Sequence, residues 1–199
     1  MEFKRHSEQL ALETFSVVLG IILALAANAW HDRRVHGADA GEAVRAIRNE
    51  LATNDSMLRL KIPYHRAMQD SLTALLGRAT TRDVPGGLRA IKNWNGTQPA
   101  QLLDDAWQTA RSTQAIQYVP YDLVVGLSRT YAMQQRVGDV NRAFYNAIYT
   151  PQFAIGGVTA MAAMESYLAD VSANEAQLIR QYDRELARVD SFNARPHFR

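Results

Sequence analysis

The residues able to do chemistry are few: five histidines, at positions 6, 31, 36, 65 and 197, one adjacent acid pair, Asp104-Asp105, and no cysteine. A metal centre on one helix needs ligands one turn apart, and His31 and His36 stand five apart, off a shared face. A carboxylate-bridged di-iron centre in a helical bundle needs Glu-x-x-His pairs, and the chain has none. Asp104 and Asp105, adjacent on a helix, point about 100° apart, which suits a solvated face better than paired acid–base work. Without cysteine there are no disulfides, thiolate metal sites or thiol nucleophiles. Glycine-rich phosphate loops, a Gly-x-Ser-x-Gly elbow and His-Glu-x-x-His are missing too. No reaction is indicated, and a non-enzymatic protein without a metal cofactor is expected. Asn95-Gly96-Thr97 fits a glycosylation acceptor by spacing alone.

The strongest signal is physical instead. The stretch 13-ETFSVVLGIILALAANAWHDRR-34 holds seventeen uncharged residues from Thr14 to Trp30. About twenty residues at 1.5 Å each cross a hydrocarbon core, and Leu10-Ala11-Leu12 extends the run beyond Glu13. Trp30 and the charged residues after it suit the membrane–water boundary. A cleaved signal peptide would show small residues at a cleavage site before charge resumes, and none is convincing here. A single membrane-spanning helix is expected.

Its polar and small residues share one side. At 100° per residue, Glu13, Ser16, Gly20, Ala24, Ala27, Asn28 and His31 fall within a stripe of about 120°. Phe15, Val18, Leu19, Ile22 and Leu25 occupy the opposite side. Gly20 and Ala24 make a small-xxx-small pair that lets another helix approach closely, and a carboxylate such as Glu13 in a membrane segment turns towards protein or water. The stripe is therefore expected to dock on the transmembrane helices of a larger complex. Ala27-x-x-x-His31 also has the spacing by which light-harvesting polypeptides offer a histidine to bacteriochlorophyll. Trp30 and His31 are read first as interfacial residues, with a pigment contact as the alternative.

Beyond the span the periodicity is helical throughout. Asp39 can cap a helix whose apolar positions Val44, Ile47, Leu51 and Leu58 run up to Pro63. Tyr64, Met68, Leu72 and Leu75 mark a short second helix ended by Gly77. Turn residues fill a crossover at 79–99, expected to be a passive connection. Leu103, Ala106, Trp107 and Ala110 give one apolar face. Val124, Leu127, Tyr131, Val137, Val140, Phe144 and Ile148 give another, between Pro120 and Pro151. The final helix runs from about Gly157 to Phe192, nearly in heptads, with Glu175 in a gap of that register that reads as locally exposed. The apolar run 153–164 is too short to cross a membrane.

The fold expected is all-α: one N-terminal transmembrane helix followed by an antiparallel helical bundle. Its parts are a short N-terminal segment (1–12), the membrane helix and its flank (13–34), the bundle (35–192) with the crossover 79–99, and a tail (193–199). With 47% hydrophobic residues the chain can bury one core. Net charge is only +2 and no basic run exceeds two residues, so nucleic acid is excluded as a partner.

The pattern Glu13…Gly20-Ile21-x-Leu23-Ala24-Leu25-x-x-Asn28-x-Trp30, with Ala106-Trp107, Leu127 and Tyr131 further on, resembles single-pass bacterial membrane proteins of the DUF6090-like group. That resemblance covers residues 8–135 and implies the same architecture, with no activity attached. It also implies a bacterial inner-membrane location, with the N-terminus cytoplasmic and the bundle periplasmic. Only Lys4 and Arg5 precede the span here, against Arg33 and Arg34 just after it. A scaffold or accessory subunit of a membrane complex, of photosynthetic reaction-centre, antenna or respiratory type, is the leading functional expectation. A membrane-anchored sensor or small-ligand-binding bundle is the alternative.

Overall fold

A computed structural model describes the backbone of residues 2–79, 87–154 and 157–194, and the side chains of residues 15–79, 89–151, 153 and 157–194. Glu13, part of the expected docking stripe, has its side chain outside the described residues. Every regular element described is helical: α1 (Glu2–Leu76), α2 (Asp105–Ser112), α3 (Tyr121–Ile148), α4 (Pro151–Ala154) and α5 (Gly157–Asn193). Two single 3₁₀ turns, Gly87–Ala90 and Ala115–Tyr118, punctuate the connections. The all-α architecture expected from the periodicity is the one observed.

The apolar N-terminal segment and the first bundle helix are one 75-residue helix. Asp39 therefore caps nothing; it is an exposed residue in mid-helix. Pro63 does not end the helix either, and the second helix expected after it is the same α1. Proline at 63 removes one bond, its own N–H to the Arg59 carbonyl. Arg59 and Pro63 are both exposed, so water can serve that carbonyl. Buried Leu58, Ile62 and His65 hold the turns on the opposite face. The helix stops at Gly77, whose N–H still reaches the Thr73 carbonyl at 3.0 Å.

Contacts fix the directions of the long helices. From α1 to α5, Arg48 meets Asp190 (3.0 Å), Arg59 meets Asp183 (2.6 Å) and Thr73 meets Glu165 (3.1 Å), so the two run antiparallel. From α3 to α5, Gln134 meets Tyr182 (2.7 Å) and Asn141 meets Tyr167 (2.9 Å), antiparallel again. Helix α3 consequently runs alongside α1 in the same direction. Two apolar clusters fill the space between. Near the end that adjoins the apolar segment lie Val44, Ile47, Leu51, Trp107, Leu127, Tyr131 and Tyr182; at the far end lie Met68, Leu72, Phe144, Leu168 and Val171. Trp107, Tyr131, Phe144, Leu168 and Tyr182 are buried as their spacing predicts. Leu103 is not; its side chain is 42% exposed, because this residue serves through its backbone.

Candidate functional site

The expected docking stripe lies on a part of α1 whose apolar stretch is not buried by the rest of the fold among the described residues. The segment's mean hydropathy reaches 1.5, and among the described residues it is the one helical stretch long and apolar enough to cross a membrane. Ser16, Gly20, Ala24, Ala27, Asn28 and His31 are all exposed, as are Phe15, Val18, Leu19, Ile22 and Leu25 on the other side. A Cβ built on Gly20 would meet no atom within 4 Å. Asn28 donates from Nδ2 to Asp32 Oδ2 at 3.0 Å, tying the end of the stripe to the boundary residues. Trp30 is exposed, with the Arg34 guanidinium 5.5 Å from its ring centre.

Because α1 is uninterrupted, the stripe has a fixed direction relative to the bundle. Gly20, Ala24, Ala27 and His31 stand twenty residues before Ala40, Val44, Ile47 and Leu51, which are all completely buried against the bundle. Twenty steps of about 100° amount to roughly 200° modulo whole turns. The stripe thus faces nearly opposite to the side on which α2, α5 and the turn Ala115–Tyr118 pack.

Behind the stripe, α1 uses a row of buried polar residues to grip the stretch 95–107. Glu50 accepts the Ala106 and Trp107 N–H groups at 2.8 and 3.4 Å and the Tyr131 hydroxyl at 2.6 Å. It thereby serves the first turn of α2, whose own N-cap residue, Asp104, makes no side-chain cap. Asn54 donates to the Leu103 carbonyl (2.7 Å) and accepts the Leu103 N–H (2.8 Å), and Gln134 donates to the same carbonyl (2.7 Å). Tyr64 donates to the Gly96 carbonyl (2.6 Å) and accepts the Asn95 N–H (2.9 Å). A stretch without regular structure has unpaired backbone groups, and these side chains satisfy them as it is buried. The end of the crossover 79–99 and the residues after it are thus fastened to α1, with Thr97 and Ala100 buried while Asn95, Gly96 and Leu103 stay exposed.

His65 and Glu175 stand at the junction of the two apolar clusters, each with no exposed side-chain surface. His65 Nδ1 lies 2.8 Å from Glu175 Oε2; Nε2 lies 2.9 Å from the Thr97 carbonyl and 3.2 Å from that of Gln98. Carbonyl oxygens only accept, so Nε2 carries a proton. Burial pulls the ring's pKa down most strongly, but the Glu175 bond and charge, helped by the two carbonyls, raise it overall. Glu175 is not the exposed residue its register gap suggests; the gap is where a helix turns a carboxylate inward onto a histidine. Burial, and for Tyr131 the Glu50 carboxylate, also lifts the Tyr131 and Tyr182 hydroxyls well above their usual range. Thr97 shares a 2.7 Å bond with Tyr145, so the hydroxyl of the Asn-Gly-Thr triplet is spent inside the fold.

These residues are all sequestered, and no group of three or more metal-binding side chains occurs among the described residues. Asp104 and Asp105 stay apart, with Asp104 held by Gln108 at 3.3 Å. His31 is exposed, while His36 stacks on Tyr118 with ring centres 4.1 Å apart. A groove of about 350 Å³ beside α2 and α3 is walled by Trp107, Arg111, Ile116, Val124 and Tyr131. Glu50, Asn54, His65 and Glu175 escape sequence reasoning as a group because each looks like an interruption of an apolar face. Asn54 and His65 nevertheless keep the helical register of Ile47, Leu51 and Leu58, and that coincidence is the available signal. Against family models, curated proteins and solved structures, the chain finds no match.

Proposed function

We propose that this chain is a non-catalytic, single-pass accessory subunit that docks on and stabilises a larger bacterial membrane complex. The observation that carries the reading is the phase of α1. A partner helix packed on Gly20, Ala24, Ala27 and Asn28 approaches from the side away from the bundle, so it meets no obstruction from α3 or α5. An uninterrupted helix also couples the two parts stiffly, so docking in the membrane would orient the bundle above it. The buried clamps support a structural role, since Glu50, His65 and Glu175 are held in the core instead of facing a substrate. Photosynthetic and respiratory assemblies are the first candidates, in the inner membrane, with the N-terminus cytoplasmic and the bundle periplasmic as the DUF6090-like resemblance implies. A bacteriochlorophyll contact at His31 belongs to the same proposal.

The groove beside Trp107 and Arg111 favours a second reading, a membrane-anchored module that binds a small ligand. Purification of the native protein in mild detergent, followed by mass spectrometry and an absorption spectrum, discriminates the two. Stoichiometric membrane subunits support the accessory role. A bound small molecule with no protein partner supports the second reading and removes the first.

A further inference from the structure

The bundle's membrane-facing corner carries a surface that the docking stripe does not explain. The 3₁₀ turn Ala115–Tyr118 is fastened to α1 by the parallel stack of Tyr118 on His36, with an angle of 5° between the rings. Tyr118 is 46% exposed and Tyr121, at the start of α3, is 83% exposed. His36 lies six residues beyond Trp30, which at 1.5 Å per residue is about 9 Å along the helix. Headgroup layers extend roughly 5–8 Å outside the hydrocarbon on each side, so the His36–Tyr118 level stands about 1–4 Å beyond them, within reach of a tyrosine side chain. Tyrosine, with an apolar ring and a polar tip, is enriched at that level.

Between Trp30 and His36 the cations Arg33 and Arg34 stand beside one acid, Asp32, which accepts from Asn28. From Asp39 upward acids and cations are mixed, with Arg45 and Arg48 following Asp39 and Glu42, and Asp122 paired with Arg188 at 3.3 Å. A phosphate layer would be attracted by Arg33 and Arg34. We infer that the Tyr118 corner rests on the headgroups of the bilayer that α1 crosses, with Tyr118 and Tyr121 as interfacial anchors and Arg33 and Arg34 facing lipid phosphate. This rests on the membrane-spanning reading of α1. It adds a second contact that fixes the tilt of the rod, since a single helix can lean freely about its axis.

The chain has no native cysteine, which allows single reporters. Full-length protein carrying a fluorophore at Gln117→Cys, in vesicles of phosphatidylcholine and phosphatidylglycerol, should lose fluorescence to a headgroup nitroxide lipid. A reporter at Tyr149→Cys, at the far end of α3, should not. A reporter at Ile22→Cys with an acyl-chain nitroxide reads the span independently. Quenching at 22 with none at 117 overturns the corner contact and leaves the membrane helix standing; no quenching at 22 overturns both. Tyr121→Ser, at a position 83% exposed and outside the stack that fastens the turn, should reduce the loss at 117. An unchanged loss would overturn the anchoring role given to that ring.

Discussion

Substitutions at Glu175 separate the ways in which the buried pair can hold the fold. Glu175→Ala leaves His65 Nδ1 facing a void, with the ring still bound through Nε2 to the Thr97 and Gln98 carbonyls. Removing one partner of a fully buried pair costs about 3–5 kcal/mol, or roughly two to four powers of ten in the folding equilibrium. Glu175→Gln keeps the shape, and its amide can donate to Nδ1 of a neutral ring while Nε2–H goes on donating to the carbonyls. Oε1 of the parent carboxylate is buried without a hydrogen-bond partner, and the amide leaves that position equally unpaired, so the added loss should be only about 1 kcal/mol near neutral pH. The pH dependence sharpens the contrast. A histidine whose folded pKa is raised contributes stability that is fully present below its ordinary value of 6.5 and fades as pH rises through the folded value. In Glu175→Gln the larger raising influences, the Glu175 bond and charge, are gone; burial, the largest influence, then outweighs the two carbonyls, so the variant loses stability as pH falls below about 6.5. The gap between parent and Gln variant should therefore widen on acidification. Urea unfolding in mild detergent, followed by far-ultraviolet circular dichroism across that pH window, measures it. Equal losses for Ala and Gln, or a gap that narrows in acid, would refute the reasoning.

Three further outcomes are expected. Leu168→Ala, at a completely buried position of α5, should cost about 2–5 kcal/mol in the same unfolding assay, and a negligible loss would mean the far-end cluster is not packed as described. Pro63→Ala restores a helix bond on the exposed face of α1 and should stabilise the protein by up to about 3 kcal/mol; a loss would show that the proline serves some contact. A cysteine at exposed Ser191 should react with an impermeant thiol reagent in intact spheroplasts if the bundle is periplasmic, and labelling only after lysis would reverse that orientation.

The helices were legible because each long one repeats apolar residues at one-turn spacing, most regularly Leu168, Val171, Leu178, Tyr182 and Val189 on α5. The junction at Pro63 was not, because the rule that proline ends a helix assumes nothing else holds the next turn. Here Leu58, Ile62 and His65 are anchored on the opposite face. The clamp on residues 95–107 was hidden for a different reason. Its partners are separated by large sequence distances, as with Asn54 and Leu103 or Glu50 and Ala106, and a stretch with no periodicity gives no hint of what will receive its backbone groups. That polar and small residues share one side of the apolar part of α1 follows from spacing alone, and docking through that side is the proposal. The direction of that side relative to the core required knowing that α1 has no break between Gly20 and Ala40.

Co-purification of a Gly20→Leu variant from its native membrane tests the docking face most directly. A Cβ at position 20 meets no atom within 4 Å outside its own helix backbone, and the site is exposed, so folding and membrane insertion should be preserved. On the stripe it would hold a partner helix away along its whole length. The account predicts that Gly20→Leu stays in the membrane fraction but loses the partners retained by the parent and by Ile22→Leu on the opposite side. Retention of those partners by Gly20→Leu at the parental level would contradict it and leave α1 an anchor only.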